Sequence, residues 1–393
     1  MLKRTAIVFL SVFLLVGALS SVFTIQKVKA GTITVPDDYP TIQEAIDHAS
    51  MGDTVFVKAG TYHENVEVNK SMLSLLGENM ATTIIDGDQA GDCVHVIADS
   101  AKICGLTIRN ASGVYSCVKL SSDWNEVVNC NLTDGWCGVS IDRFCGGNVI
   151  ANNSISDNLN GISGELWWNS RIVNNTIVDN LLGIWIGPYS KNNEISFNII
   201  KGHYSEGISM WQSSNNTFEA NDITDNNRGG YWAAIVIGFQ VGASWGNKFF
   251  HNNIMSKGRQ VDLQGRQEPI IWDDGYPSGG NYWSDYNGTD VYSGPYQNAS
   301  RSDGIGDAPY LIDENNVDRY PLIHPLQKRN PPIWDVNNDK VVDIQDIVLV
   351  ALAYGSKPGD SNWKPEADMA PQQGKVDLFD LVTCASHYGE RYR

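Results

Sequence analysis

The sequence predicts a mainly β fold in the form of a parallel β-helix, followed by a small α-helical module near the C-terminal end. The middle of the chain repeats with a step of 22 to 24 residues, and its apolar runs lack the 3.6-residue period of a helix. Glycines mark the step and are 23, 22 and 24 residues apart: Gly138, Gly161, Gly183 and Gly207. A regularly spaced acidic segment before an apolar helical pattern predicts the separate C-terminal module.

Each repeat has room for two or three short strands, because apolar and polar residues alternate between breaks of Asn, Gly, Ser and Asp. The repeat is too short for a helical hairpin or a propeller blade, but it suits one coil of a β-helix. Two asparagine series keep the same step: Asn125, Asn148, Asn193, Asn216 and Asn247, with Ser170 in one place, and Asn153, Asn175, Asn198, Asn221 and Asn252. Coils stacked about 4.8 Å apart are expected to align these residues as internal hydrogen-bonded ladders.

The predicted segments follow in order: a signal peptide over residues 1–30, an N-terminal cap with the first coils over 31–92, the repeats over 93–265, a closing segment over 266–326, a linker over 327–334 and the C-terminal module over 335–390. A basic start, an apolar run from Ala6 to Ile25 and small residues before Gly31 are typical of secretion signals. We therefore expect an exported protein, secreted or held at the cell surface. The apolar run is also long enough to span a bilayer, so an uncleaved membrane anchor is the alternative.

The formal net charge of −17 argues against nucleic acid and anionic membranes as partners. Six of the seven cysteines fall between positions 93 and 145, without the spacing of a zinc site. Cys93 and Cys117 are predicted to occupy equivalent positions one coil apart, and Cys104 and Cys130 to do the same on the asparagine ladder. Both disulfides and buried free thiols are compatible with this stacking.

The C-terminal module begins with the ligand spacing of a twelve-residue calcium loop. Oxygen side chains at loop positions 1, 3, 5, 9 and 12, with a backbone carbonyl at position 7, predict a Ca²⁺ site: Asp335, Asn337, Asp339, Val341, Asp343 and Asp346. A second loop retains only three acids: Asp368, Asp377 and Asp380. This second loop is one residue too long and has Ala and Gln at ligand positions, so its calcium site is predicted to be weak or absent.

Two segments carry a family resemblance for the β-helix. The segment from Ile33 to Asp47 resembles the N-terminal cap of pectin-lyase-like right-handed parallel β-helix proteins, in which a short helix, here Ile42 to Ala49, plugs the coil stack. The segment from Trp272 to Tyr286 resembles the close of NosD-type β-helices, which are exported and associated with copper. Copper sites use clustered His, Met or Cys, whereas the histidines here are scattered. A NosD-like metal-associated periplasmic protein is kept as a further hypothesis, which rests on the resemblance and not on a cluster of copper ligands.

Residues 333–389 resemble a type I dockerin, a calcium-folded module that docks onto cohesin domains. The resemblance implies a cohesin-domain protein as partner. The usual hydroxyl pair at loop positions 10 and 11 is replaced by Ile344 and Gln345, so the choice of cohesin is not predictable.

Two outward columns are predicted on the strand after each repeat glycine. The first contains His95, Lys119, Ser140, Ser163, Trp185 and Ser209, and the second Ile97, Ser121, Asp142, Glu165, Gly187 and Trp211. Asp142 and Glu165 then lie about 5 Å apart on adjacent coils, with Lys119 and Arg143 nearby. The family resemblance implies lyase chemistry with Lys119 as base, or hydrolysis with paired carboxylates at a spacing that suits retention. The alternative is that these charges only solvate an exposed face.

Tryptophans recur through the repeats, and four are candidates for stacking on sugar rings: Trp168, Trp185, Trp211 and Trp232. Packing beneath the insertion at 228–246 is the alternative explanation. Together these patterns predict a protein that binds polysaccharide, with lyase or hydrolase activity and a non-catalytic surface protein as competing hypotheses.

Overall fold

The structure is a computed structural model that describes residues 30–111, 113–238, 244–265, 268–326, 334–337, 341–357, 360–368, 375–386 and 388. The predicted signal peptide therefore lies outside the described residues, apart from Ala30. Within these ranges no helix combines the length and the apolarity needed to cross a bilayer.

Three sheets, named A, B and C, form the predicted parallel β-helix, and each full coil contributes one strand to each sheet. Sheet A contains the described strands Thr32–Val35, Thr54–Val57, Ser74–Gly77, Lys102–Cys104, Glu126–Val128, Val149–Ala151, Arg171–Val173, Glu194–Ser196, Thr217–Glu219 and Lys248–Phe250. Sheet B contains Gly60–His63, Thr83–Asp86, Thr107–Arg109, Asn131–Thr133, Ser154–Ser156, Thr176–Val178, Ile199–Lys201, Asp222–Thr224, Asn253–Met255 and Tyr282–Trp283. Sheet C contains Val66–Val68, Val94–Val96, Ser116–Leu120, Cys137–Ile141, Asn160–Gly164, Leu182–Ile186, Ile208–Met210, Ile235–Ile237 and Val261–Leu263.

Aliphatic side chains fill the interior of the coil stack. They stack because equivalent residues of successive coils pair in register, as along sheet B: Ile155, Ile177, Ile200, Ile223 and Ile254. All five are completely buried, and each such side chain contributes roughly 1.5–3 kcal/mol of hydrophobic stabilisation. The alternation seen in the sequence therefore places one continuous core inside the coils.

The two predicted asparagine ladders occupy the corners that lead from sheet C to sheet A and from sheet A to sheet B. In the second ladder, Asn198 Oδ1 accepts the backbone N–H of Asn175 at 2.9 Å and its Nδ2 at 3.0 Å. Asn198 Nδ2 then donates to Asn221 Oδ1 on the next coil at 3.0 Å. The prediction of amide ladders is confirmed, and these hydrogen bonds satisfy backbone groups that a buried corner would otherwise leave unpaired.

A third ladder, absent from the sequence-based prediction, occupies the corner between sheets B and C. It runs through Asn158, Asn180, His203, Asn226 and Ser256. His203 Nδ1 accepts the backbone N–H of Asn180 at 3.1 Å. Burial lowers the pKa of His203 to about 4, so this imidazole is neutral near pH 7.

A short helix, α1 (Ile42–His48), covers the N-terminal end of the core, as predicted. Thr41 caps it by accepting the N–H of Glu44 at 3.2 Å. Ile42 and Ile46 are fully buried against the first coils, and the Glu64 carboxylate accepts the N–H of Ile42 at 2.9 Å. The helix is therefore fixed to the coils by both apolar packing and a cap from the solenoid.

Stacked aromatic rings close the other end of the core. Phe249 stacks on Phe218 and on Trp272, with ring centroids 4.1 and 4.9 Å apart, and Tyr310 stacks on Trp283 at 4.2 Å. Two antiparallel hairpins belong to this closing segment: Tyr292–Ser293 with Ala299–Ser300, and Tyr310–Leu311 with Val317–Asp318.

The ladder between sheets A and B ends on the buried carboxylate of Asp318. Its Oδ2 accepts the backbone N–H of Asn281 at 2.7 Å and the indole N–H of Trp283 at 2.8 Å. Burial raises the pKa of Asp318 to about 7, against the opposing effect of these donors. A Cβ on Gly280 would lie 1.9 Å from Asp318 Oδ1, so this position has room only for glycine.

The C-terminal module contains two described α-helices, α2 (Ile344–Ala353) and α3 (Leu378–Ser386), with a 3₁₀ turn at Pro365–Ala367. Its small core is separate from that of the coils and includes Val336, Val342, Val350, Ala353, Ala367, Val376 and Cys384. Both helices start in the same way, because Asp346 and Asp380 accept the backbone N–H of Asp343 and Asp377 at 2.9 and 2.7 Å.

Candidate functional site

The first predicted column is present on the outer face of sheet C. Strand pairing aligns His95, Lys119, Ser140, Ser163, Trp185 and Ser209. The intervening residues, such as Val139 and Ile162, are fully buried, so the column faces away from the core. Ser209 departs from the expectation of an exposed side chain, because only 2% of its surface is accessible.

Lys119 and Asp142 belong to a polar cluster that crosses neighbouring coils. Lys119 Nζ lies 3.4 Å from Asp142 Oδ2, and Ser121 Oγ donates to the same oxygen at 2.6 Å. His95 Nε2 lies 2.8 Å from Ser121 Oγ, which extends the cluster by one coil. His95 and Ser121 stood in the predicted columns but were not chosen as site residues, since residue type alone did not reveal this hydrogen bonding.

Glu165 forms a second charged pair on the next coil. Arg143 Nε donates to Glu165 Oε1 at 2.6 Å, and a second guanidinium nitrogen contacts the same oxygen. The two candidate carboxylates are therefore paired with two different cations. In a retaining glycosidase one carboxyl group gives a proton while the other attacks the sugar. Here one oxygen of each carboxylate is paired with a cation, Asp142 Oδ2 with Lys119 and Glu165 Oε1 with Arg143.

An open cleft of about 620 Å³ contains these charged pairs, and we call it the sheet C cleft. Its charged lining comprises Asp92, Lys119, Asp142, Arg143 and Glu165, and its aromatic lining comprises Tyr115, Trp136 and Trp185. The structure thus brings together all three predicted catalytic candidates and one of the four predicted sugar-stacking tryptophans. The volume lies within the range of small-molecule sites.

Tyr115 and Trp136 supply the aromatic side of the cleft and were not among the predicted binding residues. They lie directly before paired strands of sheet C and are 40% and 42% exposed. The repeat could have revealed both rings, because they occupy equivalent positions on adjacent coils. Tyr115 stands one residue before Ser116 and Trp136 one residue before Cys137, and these two residues pair. The predicted columns start only after the repeat glycine and therefore exclude both rings.

The other tryptophans do not form one stripe. Trp185 and Trp211 meet edge to face, with centroids 5.7 Å apart and an interplanar angle of 88°, so they present no flat platform. Trp168 lies in a different column, which bridges to Lys191 at the corner between sheets C and A. Trp232 is in the turn before the strand Ile235–Ile237, where Asn227 binds its backbone. Trp168, Trp185 and Trp211 lie in or shortly after strands of sheet C, whereas Trp232 precedes one. Their role in sugar binding stays a prediction.

The first predicted calcium loop is described at five of its six ligand positions, and Asp339 lies outside the described residues. Asp346 is fully buried, and its Oδ1 accepts the backbone N–H of Val336 at 2.8 Å and of Asn337 at 3.1 Å. Asp335 is also buried, with 3% of its surface accessible. Since Val336 follows Asp335 directly, the hydrogen bond from Val336 brings the Asp346 carboxylate to the start of the loop, next to Asp335. Asp343 caps α2 by accepting the N–H of Gln345 at 2.7 Å.

The second predicted loop resembles the first at its helical end only. Asp380 is fully buried, as Asp346 is, and Asp377 takes the place of Asp343 before the helix. Asp368 is described, whereas residues 369–374 of the loop are not. The three remaining acids are thus divided between the two ends of this loop.

His63, Asp86 and Asp88 form a group of possible metal ligands that the sequence-based prediction missed. One ligand atom from each lies within 4.8 Å of the others. Asp86 is already bound by Arg109 Nε at 2.9 Å, and Asp88 by His63 Nδ1 at 2.9 Å. The group is therefore held together by its own hydrogen bonds and by an arginine. The positive charge of this arginine disfavours the binding of a metal cation here.

The cysteines are buried free thiols among the described residues. Cys93 and Cys117 occupy equivalent positions, as predicted, because Val94 and Val118 pair. Cys104 and Cys130 do not, since Cys104 pairs with Val128 on the outer face, while Cys130 occupies the ladder position next to Asn153. Burial raises the pKa of Cys104 to about 11 and that of Cys130 to about 12, so both thiols are inert at neutral pH.

A family comparison covers the repeats. Residues 92–271 match the family model described as "Right handed beta helix region". Two curated plant proteins are similar to a short part of the chain. Pectinesterase 2 of Citrus sinensis is 34% identical over 86 residues, and the probable pectinesterase/pectinesterase inhibitor 17 of Arabidopsis thaliana is 33% identical over 87 residues. Each match covers 19% of this chain and only 17% of the plant protein.

Among solved structures, an alginate lyase from Paenibacillus sp. str. FPU-7 aligns with 65% of this chain and 99% of its own, at 14% identity and a TM-score of 0.48. The family match falls within the three parallel sheets, whose strands run from Thr32 to Trp283. The chain therefore contains a right-handed parallel β-helix.

Proposed function

We propose that the protein binds a polysaccharide in the sheet C cleft. The observation that carries this proposal is the arrangement of two cation–carboxylate pairs, Lys119 with Asp142 and Arg143 with Glu165, beside the exposed rings of Tyr115 and Trp136. Aromatic rings pack against the apolar faces of sugars, while paired charges offer donors and acceptors to hydroxyl and carboxylate groups.

The shape of the site supports a chain-like ligand. The cleft is open and lies across stacked coils, so equivalent groups recur about every 4.8 Å along the solenoid. The short matches to pectinesterases are consistent with a sugar polymer as the ligand. Serines at the base of the cleft, Ser140 and Ser163, add neutral hydrogen-bonding groups between the two pairs.

Cleavage of the bound polymer is the second candidate function. Lysine and arginine beside carboxylates are the groups that proton abstraction next to a uronate carboxylate requires, which favours a lyase over a retaining hydrolase. Lys119, in its neutral form, is the candidate base, and Arg143 is the cation that would neutralise the substrate carboxylate. Asp142 and Glu165 position these two side chains.

The C-terminal module is proposed to be a calcium-folded, dockerin-like attachment module of an exported protein. Asp335 and Asp346 are buried carboxylates near one point, and oxygen-rich sites of this kind suit Ca²⁺. The ligands would be Asp335, Asn337, Asp339, Asp343, Asp346 and the carbonyl of Val341. Both helices keep large apolar residues exposed: Ile344, Val348, Leu352, Leu378 and Val382. This apolar surface suits a protein partner, for which a cohesin domain is the candidate.

Glycan binding and product formation test the proposal together. The purified chain is screened on uronate-containing and neutral polysaccharides for binding, for unsaturated products and for new reducing ends. Lys119→Met and Trp136→Ala are each expected to weaken binding about tenfold, which corresponds to about 1.4 kcal/mol. Lys191→Met, an exposed lysine at another corner of the coil, is the matched control. Failure to bind any glycan, or equal binding by all three variants, would exclude the sheet C cleft as the polysaccharide site.

A further inference from the structure

Sheet A carries an apolar column on its outer face. Strand pairing aligns Leu76, Cys104, Val128 and Ala151, which form a hydrophobic cluster separate from the core inside the coils. Only 2% of Cys104 and 6% of Val128 is accessible, although their side chains point away from the core. Val173, which continues the column, is only 3% accessible, so this outer face is closed along several coils. Near Leu76 and Cys104 the C-terminal module lies beside it.

The C-terminal module provides cover at this position. Trp363 and Glu366, from the 360–368 segment between α2 and α3, line a cleft of about 430 Å³ together with Phe56, Leu76 and Cys104. The first coils therefore meet the module across an apolar floor, with an indole ring as the facing wall. A tryptophan in this setting contributes a large buried area at low cost in conformational entropy.

Polar contacts fix the same segment. Asn129 Nδ2 donates to Glu366 Oε1 at 3.2 Å across the contact. Asn129 has a φ of 53° in the turn between sheets A and B, and asparagine tolerates this left-handed backbone better than most residues. Lys102 is bound to Glu126 at 3.1 Å and lies within electrostatic range of Glu366. Burial disfavours the Lys102 charge, but the two carboxylates outweigh it and raise the pKa of Lys102.

We propose that the 360–368 segment is an intramolecular docking element, which seats the C-terminal module on the outer apolar column of sheet A. The occupant of this surface is the chain's own module, joined to the coils by the hydrogen bond from Asn129 to Glu366. Trp363, which packs against the module's own core, faces the apolar column across the shared cleft. The apolar residues of α2 and α3, such as Val348 and Val382, stay 46% and 56% exposed in this arrangement. Docking therefore leaves that surface open to a further partner. The inference does not depend on the ligand of the sheet C cleft or on the identity of the module's partner.

Thiol labelling of the native full-length chain tests the docking, because the three relevant cysteines report on different events. Cys104 lies in the contact, Cys130 inside the coils and Cys384 inside the module. In the double variant Trp363→Ala/Glu366→Gln, labelling of Cys104 by iodoacetamide is expected to be about tenfold faster, because a thiol reacts only when it is accessible and ionised. Cys130 and Cys384 should stay unlabelled, which shows that both parts remain folded. Mass spectrometry of the digested chain assigns each labelled cysteine.

Two further variants keep the test decisive. Asn129→Leu removes the hydrogen bond to Glu366 without any change in the module, and it also removes the Asn129 hydrogen bond that favours the Cys104 thiolate. Faster labelling of Cys104 in this variant can therefore come only from greater access to the thiol. Trp245→Ala/Glu314→Gln, which changes an exposed tryptophan and an exposed glutamate elsewhere, should label as the wild type does. The proposal is overturned if Cys104 of the wild type reacts as fast as it does in the Asn129→Leu variant.

Discussion

The β-helix and the C-terminal module bury polar groups in contrasting ways. The ladders of the β-helix bury neutral amides. A ladder residue such as Asn198 has hydrogen-bond partners on the adjacent coils for its N–H groups and for its side-chain oxygen. The buried carboxylates of the β-helix segment, such as Asp318, are each bound by hydrogen-bond donors. The small module, in contrast, buries three carboxylates from its two loops: Asp335, Asp346 and Asp380. A neutral amide with all its hydrogen bonds made is inexpensive to bury, whereas a group of carboxylates repels itself unless a cation is present. The β-helix is therefore expected to fold without metal, and the module to require it.

Removal of calcium should produce the largest difference in folding between the β-helix and the module. Chelation by EDTA, or Asp335→Ala with Asp339→Ala, is expected to abolish the folding of the module, because cation binding supplies its folding free energy. The β-helix should keep its own thermal transition in the same sample, lowered only by the loss of the contact between the module and sheet A. Circular dichroism and calorimetry with and without calcium measure both effects. A module whose helical signal ignores EDTA and both substitutions would contradict the comparison.

Loss of one ladder amide should have the largest effect within the β-helix. Asn198→Ala leaves the backbone N–H of Asn175 without its acceptor in a buried corner, whereas Asn175 Nδ2 keeps the carbonyl of Ile150 at 2.8 Å. The expected cost is about 3 kcal/mol in free energy of unfolding, from the stranded N–H and from the lost hydrogen bonds of the Asn198 amide itself. Asn131→Ala, on the outer face of sheet B, is the matched control and should change stability by less than about 0.5 kcal/mol. Urea denaturation at constant calcium compares the two, and equal losses would show that the ladder is not the source of the effect.

His203 is predicted to make the ladder sensitive to acid. Its pKa is about 4 in the folded chain, against the ordinary histidine value of 6.5 in the unfolded chain, so the unfolded chain binds more protons between these values. The stabilisation that comes from neutral His203 is thus fully present above pH 6.5 and is lost as the pH falls towards 4. His203→Asn restores an amide that does not titrate. Between pH 7 and pH 4 the wild type should lose about 3 kcal/mol relative to this variant. Urea midpoints at both pH values measure the difference, and parallel pH profiles would exclude His203 as the sensor.

The exposed charged pairs of the sheet C cleft should contribute least to stability. Arg143→Met removes the partner of Glu165 at a solvent-exposed site, so the free energy of unfolding should change by less than about 0.5 kcal/mol. Thermal denaturation of this variant is the measurement. A loss of about 2 kcal/mol or more would show that the pair supports the fold, as the buried ladders do, and would weaken its assignment to a binding site.

The repeat, the parallel sheets, two of the ladders and the cap helix were predictable, because one coil places each residue type at a fixed distance from the next. The third ladder was missed because His203 stands in it, and a histidine does not look like part of an asparagine series. His203 nevertheless offers a ring nitrogen at the place where its neighbours offer an amide oxygen. The ladder depends on an acceptor and not on a residue type.

The misplaced cysteine pair shows a limit of local similarity. Cys104-Gly-Leu-Thr and Cys130-Asn-Leu-Thr look equivalent, but strand pairing sets Leu106 opposite Cys130. The register follows from which side chain enters the core at the corner, and both leucine and cysteine fit there. The lining of the sheet C cleft was also predicted only in part. The charges followed the strand columns, whereas Tyr115 and Trp136 lie just outside them.

The caps at the two ends of the β-helix are expected to prevent strand pairing between copies of the chain. A stack of parallel strands exposes a row of unpaired backbone groups at each end, and such an edge can recruit the edge of another copy. The helix α1 lies over one end, and the rings from Phe249 to Tyr310 with their hairpins lie over the other. Without these caps, the regularity that stacks the coils inside one chain would continue from chain to chain. The same repeat would then grow as a filament.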